Sequence, residues 1–292
     1  MIAPRVSTQL RLAFGSVVVL LDTRAASLLG SLRQRYGDGV PDRDPTFVVR
    51  VTERVANDAD ASIDIEGTFE ERVLKLRSSV LDGRFDLATG EGELAVTPHP
   101  RFGAGIYIEK ALRELVQLLV LERGGFLLHA AGVVPRDDNR VWLFVGRSGQ
   151  GKSTISRMLR RIGATVLSDD LILVDGATPP HAQSTPFFSA LTPLPSDRRS
   201  SLRERIAGVY LIEPCESPWV NLETDASIAA AQIVSCVPFT SSFSPQLHLD
   251  LLEATTRVAR VLPVAALGFR RDLSFLPHVG WPEIDLDFGE GC

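Results

Sequence analysis

The sequence predicts an α/β chain in which a β-rich α+β domain, residues 1–102, precedes an α/β domain of residues 103–292. Three observations carry the prediction. The first hundred residues hold short apolar or alternating runs divided by turn residues, the pattern of strands. Further along, strands alternate with helical segments, the order of a sheet covered by helices. Between the two regimes lies one stretch with apolar residues at helical spacing.

In chain order, Leu10 to Phe14 and Val17 to Leu21 flank a Gly-Ser turn and read as paired strands. A helix is expected over Arg24 to Tyr36, ended by Gly37-Asp38-Gly39. Thr46 to Thr52, Ser62 to Glu66, Arg72 to Leu76 and Glu93 to Thr97 are the remaining strands of the first domain. No His, Cys or carboxylate cluster there has a spacing that demands chemistry, so packing or recognition is its expected role. From Ile106 to Glu122 the apolar residues Ile106, Ile108, Leu112, Leu115, Leu118, Leu119 and Leu121 form an amphipathic helix closed by Gly124-Gly125.

Beyond it the expected order is strand Phe126 to Val134, strand Val141 to Val145, a glycine loop, helix Ser153 to Ile162, strand Thr165 to Ser168, Asp169-Asp170, and strand Leu171 to Val174. The Pro-, Ser- and Thr-rich segment from Gly176 to Ser201 has no periodicity and predicts a long surface loop, either a lid or substrate-facing element or a disordered linker. Strand Gly208 to Glu213, helices Asp225 to Cys236 and Pro245 to Val261, strand Val264 to Phe269 and a mixed tail from Trp281 complete the chain.

Composition narrows the function classes. With 45% apolar and 23% charged residues over 292 positions, neither disorder nor a fibrous repeat is indicated. A net charge of −5 argues against a protein that coats nucleic acid. Cys215, Cys236 and Cys292 are far apart and odd in number, so neither a zinc site nor a disulfide framework is expected and a reducing cytoplasm fits. No apolar run approaches the roughly 20 residues of a membrane span. Arg5 and Arg11 interrupt what would have to be the apolar part of a signal peptide, so export is not expected.

The segment GRSGQGKS, Gly146 to Ser153, matches GxxxxGK[ST] at every required position. Gly146, Gly149 and Gly151 let the backbone bend until the N–H groups of Arg147, Ser148, Gln150 and their neighbours converge as an anion nest. The helix that follows, including Thr154, adds its positive end. Lys152 reaches the β- and γ-phosphates and the Ser153 hydroxyl is a Mg²⁺ ligand. An apolar strand feeds the loop and an amphipathic helix with Ile155, Met158, Leu159 and Ile162 leaves it, which is the context the motif requires. ATP with Mg²⁺ is therefore the expected ligand. Asp169 and Asp170 follow at a strand end; because side chains alternate along a strand, one can serve the metal while the other faces an incoming nucleophile as base. His129, inside an apolar strand, reads by itself as a core histidine.

The run LLHAAGVV, GRSGQGKS, Gly163 and LSDD resembles the catalytic domain of HPr kinase/phosphorylase over about fifty residues, Leu127 to Leu173. The resemblance implies a P-loop domain akin to phosphoenolpyruvate carboxykinase and transfer of a phosphoryl group to a serine hydroxyl on a small protein. It implies that Lys152 holds the phosphates, Ser153 ligates Mg²⁺, Asp169 and Asp170 supply a metal contact and the base, and His129 sits beside them. Asp170 is the favoured base, although sequence alone does not separate the pair. Glu204 loosely resembles a further metal-binding glutamate of that family. Rings are usual in the family, so a homo-oligomer is implied.

Two departures, Thr154 in place of the usual glutamate and the missing glycine-rich stretch before Gly208, argue against reversal by inorganic phosphate and against HPr as acceptor. The layout, with LGFRRD near the C-terminus, looks more like the HPr-kinase-related proteins of ribosomal peptide biosynthesis, some of which phosphorylate a precursor peptide. The expected activity is thus an ATP- and Mg²⁺-dependent kinase acting on a Ser or Thr hydroxyl of a peptide or small protein, with no nucleic-acid or membrane partner. A small-metabolite kinase and a non-catalytic nucleotide-binding regulator are the alternatives. An ABC-type ATPase is disfavoured by the absence of an LSGGQ signature.

Overall fold

Among the described residues, 8–40, 43–54, 65–98, 103–187 and 202–282, two mixed sheets and five α-helices make up a mixed α/β architecture in the computed structural model. The first sheet contains β1 (Gln9–Phe14), β2 (Val17–Asp22), β3 (Phe47–Glu53), β4 (Glu66–Glu70), β5 (Val73–Arg77), β6 (Leu81–Asp86) and β7 (Glu91–Val96), in the spatial order β1-β2-β3-β7-β6-β5-β4. Its β2–β3 and β3–β7 pairs are parallel and the rest antiparallel. The parallel β2–β3 pair needs a crossover, supplied by helix α1 (Ala26–Tyr36).

Alternation decides which face is buried. Phe47, Val49, Leu74, Leu76, Phe85 and Leu94 point inward, while Arg50, Lys75, Arg84 and Glu93 point to solvent. Each such apolar side chain contributes about 1.5–3 kcal/mol by leaving water. A one-residue slip of register would forfeit that for a whole strand.

Helix α2 (Gly105–Leu121) lies between this sheet and the second, touching β2, β6 and β7 on one side and β8 on the other. The expected amphipathic helix is instead buried nearly all round, because both of its faces have a sheet to cover them. One apolar cluster runs from Leu10 of β1 through Leu112 and Leu115 of α2 to Leu143 of the second sheet. Polar side chains of α2 are enclosed as a result. Gln117 is fully buried and accepts a hydrogen bond from the Leu127 amide at 2.9 Å.

Glu114 fares differently: its Oε2 is buried with no hydrogen-bond partner among the described residues, and burial raises its carboxyl to about 7. A folded value above the unfolded one gives stability that is complete below the ordinary 4.5 and lost as pH rises through about 7. Glu114→Gln should therefore stabilise the protein by roughly 1–2 kcal/mol at pH 8, allowing for partial exposure, and by nearly nothing at pH 4.5. Urea unfolding at the two pH values measures the difference; equal effects at both would refute a charged Glu114 at pH 8.

The second sheet comprises β8 (Phe126–Val134), β9 (Arg140–Val145), β10 (Thr165–Ser168), β11 (Leu171–Val174), β12 (His181–Ser184), β13 (Arg203–Pro214), β14 (Trp219–Glu223) and β15 (Val264–Phe269). β8 pairs with β9, β10 and β11, and β13 pairs with β9, β12 and β15, so β8-β11-β12-β13-β9 close into a hydrogen-bonded circuit. Helix α3 (Lys152–Arg161) follows β9, and α4 (Ala226–Val234) and α5 (Pro245–Val261) separate β14 from β15. Asp225 caps α4 through the amides of Ser227 and Ile228, and Ser244 caps α5, whose first residue is proline.

One expectation needs correction. The segment from Gly176 is not all loop: β12 crosses it and buries Ala182, Gln183 and Ser184 between β11 and β13, while 188–201 lie outside the described residues. Its small polar residues carry no apolar period because the neighbouring strands, not its own side chains, bury it. Of the tail from Trp281 only residues 281–282 are described: Trp281 meets Trp142 at 5.1 Å, and just before it the Val279 carbonyl accepts from Trp142 and Tyr210 at 3.0 and 2.9 Å. β6 and β14 have no counterpart in the sequence reading. The strand expected at Ser62 to Glu66 falls mostly outside the described residues; β4 begins at Glu66. Among the described residues no helix is long and apolar enough to cross a membrane, and Cys215 and Cys236 are free thiols.

Candidate functional site

β9 ends at Val145 and the chain turns through residues 146–151 into α3. Gly149 and Gly151 hold φ of 85° and 106°, a region closed to most side chains. At Gly151 a Cβ would also come within 2.4 Å of the Phe269 ring, so glycine is needed there twice over. α3 has no capping side chain and no acidic residue in its first turn. Its orphan N–H groups and positive end are thus left for an anion.

That end opens on a cavity of about 600 Å³ lined by Ser148, Gly149, Gly151, Lys152, Ser153 and Thr154 from the loop and helix, by His129, Asp169 and Asp170 from the second sheet, and by Arg35, Glu109, Lys110 and Arg113 among the helical residues. Gly146, Arg147 and Gln150 of the same loop are not among its lining residues. The Gln150 side chain folds back to accept from the Arg147 amide, which braces the loop.

Lys152 is 6% exposed, and its ammonium donates to the carbonyls of Gly146 at 2.6 Å and Arg147 at 2.9 Å. Burial lowers its pKa, with Asp170, Cys236 and Asp169 pulling the other way. The cation is held by dipoles of its own loop, an arrangement that a polyphosphate would displace in exchange for a full charge.

Asp169 and Asp170 occupy a break in one long strand. β11 pairs with the first half of β8 and β10 with its second half, both antiparallel, with a register shift at β10. The two aspartates form the bend between them, fixed by the Ser168 hydroxyl, which accepts from the amides of Asp170 and Leu171. The interruption suspends strict alternation, so both carboxylates line the same cavity, where a regular strand would send them to opposite faces.

Their partners differ. Asp169 is 5% exposed and accepts from the Ser153 hydroxyl at 2.6 Å. Asp170 Oδ1 lies 3.2 Å from His129 Nε2 and its Oδ2 3.0 Å from an Arg113 nitrogen. Burial works to raise the Asp170 carboxyl, but hydrogen bonding by His129 and the charge of Arg113 outweigh it and hold the group below the usual carboxylate range.

Arg113 extends the arrangement away from the loop. The nitrogen that meets Asp170 also meets Glu109 at 2.8 Å, one helical turn away, and the guanidinium lies over Phe187 at 5.3 Å and Phe239 at 6.0 Å. Glu109 is 3% exposed; it pairs in addition with Arg35 of α1 and accepts from the Tyr36 hydroxyl at 3.2 Å. A continuous line of contacts therefore runs Ser153–Asp169, Asp170–Arg113–Glu109–Arg35, from the glycine loop to the helix of the first sheet. Glu204 does not take part: it lies on β13 opposite Ala182. Register puts Leu211, not Glu204, beside Val145 where the loop begins, so Glu204 is roughly 20 Å away along the strand at ~3.3 Å per residue.

Sequence reasoning missed Arg35, Glu109, Lys110, Arg113 and Phe239. The available signal was Glu109 and Arg113, an i,i+4 ion pair in a helix of mostly apolar residues, where charges are costly unless paired. Among the described residues no three His, Cys, Asp or Glu side chains form a metal cage. The donor set still fits Mg²⁺, which takes one or two protein oxygens alongside phosphates and water, here the adjacent Ser153 and Asp169 oxygens. No protein-family model matches the chain, and no curated protein is similar enough to it to count as a relative.

Proposed function

We propose that this chain is an ATP- and Mg²⁺-dependent kinase that transfers the γ-phosphoryl group to a Ser or Thr hydroxyl of a peptide or small protein, using a P-loop domain of the kind found in HPr kinase/phosphorylase. One observation carries the reading: a single cavity joins an uncapped helix start and a buried lysine to a carboxylate gripped by His129 and Arg113. Nucleotide binding alone needs only the first half of that cavity. A placed base is what phosphoryl transfer to a hydroxyl adds.

The loop amides and Lys152 hold the polyphosphate at the start of α3. Ser153 and Asp169 would hold Mg²⁺, which when bound neutralises charge on the phosphates. Asp170, fixed in orientation by two donors, accepts the proton of the acceptor hydroxyl. The hydroxyl oxygen then bonds to Pγ as the bond from Pγ to the β–γ bridging oxygen breaks, and ADP departs with that electron pair. His129 and Arg113 are positioning residues that keep Asp170 ionised and aimed.

Incubation with labelled ATP, Mg²⁺ and a panel of hydroxyl-bearing peptides, small proteins and free serine, followed by mass spectrometry, tests the proposal. Phosphate on a peptide or protein hydroxyl supports it. Phosphate on free serine alone makes the chain a metabolite kinase, and nucleotide binding with no phosphorylated product makes it a regulator.

A further inference from the structure

The far wall of the cavity has a charge that nucleotide binding does not require. Along the line of contacts, the glycine loop and Lys152 stand at one end, Asp170 in the middle and Arg35 at the other end. Lys152 is committed to polyphosphate, and Asp169 and Asp170 to metal and proton. What remains lining the acceptor half is Arg35, Lys110 and Arg113, three cations against two carboxylates, Glu109 and the Asp170 that Arg113 also holds. Glu109 is buried and already receives Arg35, Arg113 and Tyr36, so it organises the arginines and offers little charge to a ligand. The wall is net cationic and partly shielded from water, where a charge attracts an opposite one more strongly than at an open surface.

The wall also has a shape. Phe239 lines the cavity beside Arg113 and holds φ of 62°, a conformation rarely taken by an aromatic residue. Ile106 adds a second apolar surface. An acceptor whose hydroxyl meets Asp170 and whose body runs past these groups comes to Arg35, which lies three ion pairs beyond the base. That path corresponds to at most about three residues of extended peptide at about 3.3 Å each.

We infer that the acceptor is an acidic peptide segment, one in which a carboxylate lies within about three residues of the phosphorylated hydroxyl and is received by Arg35 and Lys110. This rests on the kinase reading for the role of the hydroxyl, but the charge preference is a binding property and can be measured without transfer. It also gives the first sheet a task, because Arg35 comes from its crossover helix: that unit completes the acceptor half of the site.

The test uses the full chain saturated with a non-hydrolysable ATP analogue and Mg²⁺, and three short blocked peptides that differ only in the residues flanking one serine: aspartate, asparagine or lysine. Ligand-observed NMR measures their affinities. The aspartate peptide should bind about tenfold more tightly than the asparagine peptide, with the lysine peptide weakest, and the preference should shrink at high salt. In Lys110→Glu and in Arg35→Gln the preference should fall to within about twofold, and Arg35→Lys should retain most of it. Because Arg35→Gln also disturbs Glu109, a variant that loses the nucleotide analogue is set aside as misfolded, and the wild-type series and Lys110→Glu then decide. Equal binding of the aspartate and asparagine peptides, or a preference that survives Lys110→Glu undiminished, overturns the inference. A clear preference with no phosphate transferred from ATP to the aspartate peptide leaves the acidic-peptide site standing and removes the kinase.

Discussion

Asp170→Asn should lower the rate of phosphoryl transfer by about 10³-fold, within the 10²–10⁴ typical of a lost general base, while leaving the Mg²⁺ concentration needed for half-maximal activity nearly unchanged. The two aspartates are separable because their partners are. Asp169 accepts from the Ser153 hydroxyl, on the metal side, whereas Asp170 is held by His129 and Arg113 on the acceptor side. Asparagine keeps the size and the hydrogen bond to Arg113 but cannot take a proton. Asp169→Asn should do the opposite, shifting the Mg²⁺ requirement upward. Should the two variants prove indistinguishable in their Mg²⁺ dependence, the division of labour is wrong.

The pH profile gives an independent check on the base. The Asp170 carboxyl is held below its ordinary range, so it is already ionised at neutral pH and the rate should stay flat as pH falls until that lowered value is reached. The same depression adds stability above the unfolded carboxylate range that is lost as pH falls through the folded value, so rates must be read where the protein is still folded. An acid limb in the ordinary imidazole range would transfer the role to His129.

How far the sequence reveals all this depends on where the determining forces act. β8, β10, β11, α5 and β15 have the bounds that their residues suggest, because a continuous apolar run or a Ser-Pro start is a local signal. β12, with its His-Ala-Gln-Ser, and β14, whose Trp219, Val220 and Leu222 are all exposed, have no such period: one is buried by its neighbours and the other is an edge. β6 hides for a similar reason, since Gly83 takes an inward position between Leu81 and Phe85 where an apolar residue would have marked the strand. At the site, the glycine loop and the aspartate pair are legible because contiguous residues bend the backbone there. The cationic wall is not, since Arg35 and Glu109 lie 74 positions apart and Arg113 and Asp170 57 apart, brought together only when α2 inserts between the sheets. Nor does sequence reveal that the aspartates break a strand, because the register of β10 and β11 against β8 is a tertiary property.

Lys152→Met should weaken ATP–Mg²⁺ binding by about 100-fold, equivalent to roughly 2.7 kcal/mol, without harming the free protein. Its ammonium is nearly inaccessible and is balanced by two loop carbonyls, with no carboxylate among its hydrogen-bond acceptors. Burial lowers its pKa, which means that the charged form is disfavoured by folding. For a lysine with a depressed folded value, the cost to stability is present below that value and disappears as pH rises past the unfolded one. At neutral pH, replacing it with an apolar side chain of similar length removes the cost along with the two hydrogen bonds. The thermal midpoint without ligand should therefore hold or rise slightly.

The difference appears on adding nucleotide. At a concentration 100 times the wild-type Kd, binding stabilises the native protein by about 2.7 kcal/mol, and a variant with 100-fold weaker affinity gains only about 0.4 kcal/mol. Thermal unfolding with and without ATP analogue and Mg²⁺ measures both quantities in one experiment. A variant that is stabilised by nucleotide as strongly as the wild type would show that the buried lysine does not hold phosphate, and the glycine loop would then need another ligand.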